Sequence, residues 1–425
     1  MKSYFPQAMQ TLTSDGRYLF TTRLARLFSY GFLSVILVLY LAKLGLSETQ
    51  IGILLTLTLV GDTIISLLMT TTAERIGRKK MLIIGAGLMF FAGIVFAFTN
   101  NFLLLLIAAT IGVISPSGYE VGPFLAIEQA ALSQTVSNTK RTDVFAWYNL
   151  VGSFATAIGA LFGGGFIQVL QGSGVTSLKS FQIVVFGYAA MGLVLAFLFT
   201  RLSPLVEASV DNKKDGTFSA IRSRFGLHRS QKIVLKLSAL FGLDAFAGGF
   251  VMQSIVAYWF YLRFGVKPAM LGGIFFFANV LAGFSALAAA RIANRFGLIN
   301  TMVFTHIPSN ILLMLVPLMP NLQLAIALLL LRYSISQMDV PARQSYTMAV
   351  VEPDERSAAA GVTGVARTIG ASISPVFTGP MLASSALLSM PFFLAGGIKI
   401  IYDLMLYRSF KAVSPPEEKS EGRKQ

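Results

Sequence analysis

Apolar runs of about twenty residues follow one another along almost the whole chain, and this constrains the fold more than any single motif does. A run of that length is what an α-helix needs to cross a bilayer's hydrocarbon core. Charge points the same way. Only 12% of the 425 residues are charged and 55% are hydrophobic, whereas a soluble domain carries about 25% charged residues. A soluble enzyme built on one or two packed cores is excluded, as are disordered and collagen-like chains. The expectation is an all-α membrane protein of twelve transmembrane helices. They are placed at 18–43, 48–72, 81–99, 102–125, 143–167, 181–200, 234–262, 269–290, 301–319, 322–345, 358–382 and 385–407.

One long hydrophilic stretch, 201–232, separates six spans from six. The expected organisation is therefore an N-terminal half over 1–200, a central loop over 201–232, a C-terminal half over 233–408 and a tail over 409–425. Within the loop, 217–229 reads either as a basic amphipathic helix on the membrane or as a solvated linker. Lys and Arg concentrate on alternate loops: Arg75 to Lys80, Lys140, Arg141, the central loop, Arg291, Arg295, Arg356 and the tail from Arg408. The opposite loops hold only Lys43, Lys179, Arg263 and Lys267. By the positive-inside rule both termini are cytoplasmic. The same rule accounts for the net charge of +15 without nucleic acid: the basic residues hold loops inside and face anionic lipid. The chain has no cysteine, and its two histidines, His228 and His306, are too few and too far apart to suggest a metal site. No cofactor is expected. The polar stretch before the first span lacks a cleavable signal pattern, so that span is expected to direct insertion.

The halves repeat each other. Gly31-Phe32 and Tyr40 match Gly249-Phe250 and Tyr258 at an offset of 218. Residues 73–77 match 293–297 at 220, and Gln129, Arg141 and Gly164 match Gln344, Arg356 and Gly379 at 215. Three regions in order at nearly one offset imply two six-helix halves of the same topology. Parallel halves of this kind enclose a site near the bilayer midplane and alternate access to it.

The segment Ala73-Glu74-Arg75-Ile76-Gly77-Arg78-Lys79-Lys80 resembles the loop-2/3 signature of the major facilitator superfamily, with a weaker echo at Asn294-Arg295-Phe296-Gly297. Glu74 stands where that family usually has Asp, and Thr70 where its motif commonly opens with Gly. The resemblance implies the twelve-helix fold of two pseudo-symmetric halves, a monomer, and a conformational latch at Glu74, Arg75, Gly77, Arg78, Lys79 and Arg295. A plain topology signal is the competing reading of those basic residues. On the fifth span Gly152, Gly159, Gly163 and Gly164 resemble the glycine-rich motif of the family's drug–proton antiporters, although Ala160 replaces their proline and Ala155 a glycine. Small residues also serve close helix packing in any membrane protein.

Ionisable residues within spans are costly in lipid and are the default functional candidates. Asp244, flanked by apolar and small residues, is the first candidate for proton coupling or gating, with Arg26, Asp62, Glu120 and Glu128 beside it. Arg26 is the repeat mate of Asp244, so a pair across the halves is one reading. Glu128 is the mate of Arg343, which suggests a symmetric ionic gate. Asp339 and Arg343, four apart, are expected to pair on one helix at a cytoplasmic gate. Arg332, Arg367, Gln253 and Asn279 are candidates for the substrate cavity, with interhelical bonding the alternative for the two amides. Lys399 and Asp403, also four apart, read as a structural pair. Tyr258, Trp259 and Tyr261 read as interfacial belt.

No GxxxxGK[ST] loop is present, so ATP does not drive the chain directly. Nor is there a nucleophile–base constellation, so no enzymatic activity is expected. The function expected is secondary active transport by alternating access, with proton-coupled efflux of a small amphipathic, drug-like molecule as the leading reading. Transport of an anionic organic or phosphorylated metabolite held by intramembrane arginines is the alternative, and a non-transporting receptor a minor one.

Overall fold

The structure is a computed structural model that describes residues 12–120, 122–136, 141–207, 227–352 and 355–411. Among these residues the regular structure is helical throughout, as a lipid environment demands: a helix satisfies its backbone N–H and C=O groups within one segment. Seventeen α-helices follow in order: α1 (Ser14–Ser34), α2 (Leu37–Lys43), α3 (Glu48–Ile76), α4 (Arg78–Phe98), α5 (Phe102–Ile111), α6 (Phe124–Thr135), α7 (Arg141–Gly172), α8 (Ser177–Thr200), α9 (Gln231–Gly249), α10 (Gln253–Phe264), α11 (Pro268–Phe296), α12 (Leu298–Leu315), α13 (Leu322–Tyr333), α14 (Asp339–Ala349), α15 (Arg356–Ile373), α16 (Pro375–Ala383) and α17 (Met390–Phe410).

Eight segments are long and apolar enough to span a membrane unaided, and the α1–α2 pair, bent by 45°, makes a ninth. The remaining spans are broken. α5 and α6 are parted by residues 112–123, where Pro116, Pro123 and the positive-φ glycines Gly118 and Gly122 interrupt the backbone ladder. α13 pairs in the same way with α14, and α15 with α16, which gives twelve segments. The expected span over 234–262 is also interrupted, at Phe250–Met252 between α9 and α10.

Two compact units result. The first takes in the described residues of Met1–Gly216 together with Gln253–Phe276; the second takes in those of Thr217–Met252 together with Phe277–Gln425. Residues from Gln253 onward join the first unit through specific bonds. Gln253 Nε2 donates to Ser34 Oγ at 2.8 Å, the Ser254 amide to the Pro116 carbonyl at 3.2 Å, and the Tyr258 hydroxyl to Glu48 Oε1 at 3.0 Å. Gly164 of α7 lies so near α11 that a Cβ there would fall 2.2 Å from the Pro268 carbonyl oxygen.

In each unit a single glycine turns one long helix into the next. Gly77 links α3 to α4 at φ 113°, and Gly297 links α11 to α12 at φ 83°. Both values lie where an L side chain is strained, and both amides close the preceding helix onto Ala73 and Ala293 at 2.9 and 2.8 Å. Around Gly77 the basic residues dock on the segment after α8. Arg78 Nη1 donates to the Val206 carbonyl at 3.3 Å and Lys79 Nζ to the Leu202 carbonyl at 2.7 Å. The carboxylate of Glu207 accepts the amides of Arg78 and Lys79 at 2.6 and 3.3 Å, an anion at a helix N-terminus. Glu207 had no part in the latch read from the sequence, and the side chain of Glu74 lies outside the described residues. Arg295 is exposed, stacked 5.4 Å from the Phe296 ring. Residues 217–226, most of the stretch read as a possible surface helix, are also outside the description.

The second unit has a comparable anchor at the start of α9. Glu355 accepts the amides of His228, Arg229 and Ser230, the last two at 2.8 Å. Burial alone would push its carboxyl up, but these bonds and one from the Ser230 side chain outweigh burial and hold it near 2, below its ordinary 4.5. With the folded value depressed, the stabilisation is complete above pH 4.5 and is lost as pH falls through about 2. A detergent melting curve is expected to drop across that window, and less so in Glu355→Gln; equal pH dependence in the two proteins would refute the assignment.

Candidate functional site

The buried ionisable residues gather into two clusters, one in each unit. In the first, α1 carries Thr22, Arg23 and Arg26 on one face, the two arginines three residues apart. The break between α5 and α6 supplies Glu120, the first turns of α6 supply Glu128, and α7 supplies Tyr148 and Asn149. Arg26 and Glu128 are fully buried and meet in a fork, Nη1 to Oε1 and Nη2 to Oε2, both at 2.7 Å. Arg26 Nη2 also donates to Glu120 Oε1 at 2.9 Å, and Arg23 Nη1 reaches the same oxygen at 2.6 Å. Glu128 further accepts from the Thr22 hydroxyl at 2.9 Å and from the Tyr148 hydroxyl. Arg23 donates to the Tyr148 carbonyl and to Asn149 Oδ1. The guanidinium carbons lie 4.3 Å from the Tyr148 ring centre and 4.7 Å from that of Phe124. Two cations, two anions and donors on every side make a closed network, the arrangement under which a buried ion pair is tolerated.

Asp62, in mid-α3 near this network, is different. It is buried, receives a backbone hydrogen bond from Gly122, and leaves Oδ1 without a hydrogen-bond partner among the described residues. No cation there lies within ion-pair distance of it.

In the second unit Asp244 of α9 is the hub. Its Oδ1 accepts from Lys399 of α17 at 2.5 Å and its Oδ2 from Arg343 of α14 at 3.0 Å. Arg343 also pairs with Asp339 one turn earlier on α14, at 3.1 Å. His306 of α12 places Nδ1 at 2.9 and 3.1 Å from the two oxygens of Asp403 on α17, and Nε2 at 3.9 Å from Asp244 Oδ1. Asn310 donates to Asp403 Oδ2 at 3.4 Å. Arg367 of α15 is electrostatically coupled to Arg343, Asp244 and Asp339 without an ion pair of its own among the described residues.

Sequence and structure part ways over partners. Arg26 and Asp244 are each satisfied inside their own unit rather than by each other, and so are Glu128 and Arg343. The repeat survives with its charges exchanged: arginine on α1 with glutamate on α6, aspartate on α9 with arginine on α14. Lys399 turns to Asp244 rather than to Asp403 four residues on, and Asp403 turns to His306. Of the cavity candidates, Gln253 is buried and bonded to Ser34, and Asn279 is buried in α11. Arg332 lies 5.2 Å from the Tyr333 ring centre with a buried Nε that lacks a hydrogen-bond partner among the described residues. Trp259 and Tyr258 are buried, not at a lipid surface. Sequence reasoning missed His306, Glu207, Arg23 and Tyr148. For His306 a signal existed: a lone imidazole in an apolar span, whose partners stand on other helices.

On the α1–α7 contact the glycines act as spacers: a Cβ on Gly159 would lie 2.0 Å from the Phe28 carbonyl oxygen. That close approach brings Tyr148 of α7 within reach of Arg23 and Glu128.

The chain matches the sequence model of the Major Facilitator Superfamily over residues 19–375. It is 30% identical over 434 residues to the uncharacterized membrane protein YJR124C of Saccharomyces cerevisiae, covering 96% of this chain and 97% of that one. The fold is similar to that of a bacterial homolog to the human lysosomal transporter Spinster in its inward-facing and unoccupied conformation, with a TM-score of 0.67 at 16% identity over 96% of this chain and 95% of that one. It is also similar to a D-xylose-proton symporter, with a TM-score of 0.70 at 15% identity over 92% and 97% of the two chains. Twelve helical segments, two units that repeat one charge-pair position and a family match over most of the length agree: this chain is a membrane transporter of the Major Facilitator Superfamily.

Proposed function

We propose that the protein is a proton-driven secondary transporter of a small organic molecule. It works as a monomer by alternating access, with 1–200 and 233–408 as its two halves and both termini cytoplasmic. The observation that supports proton coupling is Asp62, a buried carboxyl with no cation in ion-pair distance and one oxygen unpartnered among the described residues. A charge in that position is tolerated only part of the time, and a proton is the simplest counter-charge that can come and go.

The charges favour an anionic substrate. Arg26, Arg23 and Arg343 are committed to carboxylates, whereas Arg367 and Arg332 have no carboxylate within ion-pair distance among the described residues, and a guanidinium without an anionic partner offers bidentate bonds to a carboxylate or phosphate. The drug-like reading has one support of its own. An apolar groove of 270 Å³ lies between α1 and α7, lined by Leu24, Phe28, Trp147, Leu150, Phe154 and Ile158 among others.

Purified protein in liposomes, challenged with a panel of organic anions and lipophilic cations under an imposed pH gradient, tests both points. Wild type is expected to accumulate anions against their gradient. In Asp62→Asn accumulation falls to the equilibrium ratio while exchange continues, and in Arg367→Gln anion transport is lost. Uphill transport that ignores the pH gradient refutes proton coupling; transport of lipophilic cations alone transfers the substrate reading to the groove.

A further inference from the structure

The second cluster holds a group that neither the charge count nor the proposed coupling through Asp62 uses. His306 faces Asp403 through Nδ1. An ionised carboxylate can only accept, so Nδ1 carries the hydrogen and the lone pair is on Nε2. That nitrogen lies 3.9 Å from Asp244 Oδ1, the same oxygen that accepts from Lys399 at 2.5 Å. With His306 neutral, the cluster balances three carboxylates (Asp244, Asp339, Asp403) against three cations (Lys399, Arg343, Arg367).

We infer that His306 Nε2 is a proton-binding site, and that a proton there loosens the bond between α9 and α17 by competing with Lys399 for Asp244 Oδ1. The proton comes from water and forms an N–H directed at that oxygen, and no other bond need form or break. The imidazolium lies between Asp403 and Asp244, so its charge has two anions to meet it; the added positive charge weakens the hold of the neighbouring ammonium. The groups that set the balance come from every helix packed around it: Asp403, Lys399 and Tyr402 on α17, Asp244 on α9, Asp339, Arg343 and Tyr346 on α14, Arg367 on α15, and Arg332 and Tyr333 on α13. The first cluster has no counterpart, because its arginines and glutamates offer no imidazole and its carboxylate oxygens are filled. The arginine–glutamate cluster is thus a fixed clamp and the cluster around Asp244 a titratable one. The site's role in coupling rests on the proton-driven reading above; its protonation does not.

The chain's two histidines make a direct test practical. In His228→Gln, which leaves the cluster untouched, His306 is the one imidazole left. The ¹⁵N resonances of that imidazole, followed in nanodiscs over the pH range in which the protein stays folded, are expected to pass from the Nδ1–H tautomer to the imidazolium. Asp403→Asn and Lys399→Met are expected to displace that transition in opposite senses, because one removes an anion beside the imidazole and the other a cation that shares Asp244 with it. Amide hydrogen-exchange protection in α9 and α17, corrected for the intrinsic pH dependence of exchange, is expected to fall as His306 gains its proton in wild type and to be the same at every pH in His306→Gln. An imidazole locked in one form across that range, or found as the Nε2–H tautomer, overturns the proposal. So does exchange that is insensitive to His306. If His306 titrates while the pH gradient fails to drive transport, the site stands and the coupling reading falls. If transport is proton-driven and His306 does not titrate, the reverse holds.

Discussion

Arg26→Gln is expected to destabilise the protein by about 3–5 kcal/mol, the usual cost of removing one partner from a buried ion pair. The size follows from what is left behind. Glu128 is fully buried and takes both arms of the Arg26 fork, and Glu120 takes two more bonds from it, so the substitution strands two carboxylates with Arg23 as their remaining cation. Glutamine restores neither the charge nor the fork. Arg26→Lys keeps the charge but offers a point cation in place of two parallel donors, and is expected to fall between wild type and Arg26→Gln. The double variant Arg26→Glu/Glu128→Arg reproduces on α1 and α6 the polarity that α9 and α14 already have. Its stability is expected to exceed that of either single reversal, because the pair is local to the first unit. Thermal unfolding in detergent reads the five variants against wild type. A single reversal as stable as wild type would show that the clamp does not hold α1 to α6.

Asp244→Asn is expected to be of similar size for the opposite reason: it strands cations. Lys399 loses its ion-pair partner, and Arg343 is left with Asp339 alone. The excess of one positive charge near Arg367 is the larger problem, so removing a second charge should help. Asp244→Asn/Lys399→Met restores the balance and is expected to recover about half of the loss or more, a coupling within the range found for contacting buried charges. Melting curves of the two single variants and the double variant decide it. Additive losses would mean that Lys399 and Asp244 act independently and that the 2.5 Å contact is not the main tie between α9 and α17.

Much of this was legible before any coordinates. Apolar run length and the shortage of charge identified a helical membrane protein, because lipid offers backbone groups no alternative partner. Repeat offsets located the corresponding positions Arg26, Asp244, Glu128 and Arg343, and the loop at Gly77 showed the family. Partner choice was less legible. The i,i+4 pairing rule worked for Asp339 and Arg343, which stand in adjacent turns of one short helix. It failed for Lys399 and Asp403, because a lysine four residues from an aspartate is free to turn to a carboxylate on another helix when that helix packs closer. Glu207 escaped notice for a related reason: it serves the amides of Arg78 and Lys79 from more than a hundred residues away, and nothing near it in the chain marks it as a cap.

The sequence by itself determined the kind of protein, the number and order of spans, the repeat and most of the charges within the spans, Arg23 and His306 excepted, since all of these follow from local composition and from spacing along one chain. Only the tertiary structure decided which charge meets which. An ion pair in lipid depends on helix contacts to within an ångström or so, and those contacts come from small residues such as Gly159, which lets α7 close on α1. The same packing set a lone histidine, whose partners the sequence could not name, between Asp403 and Asp244.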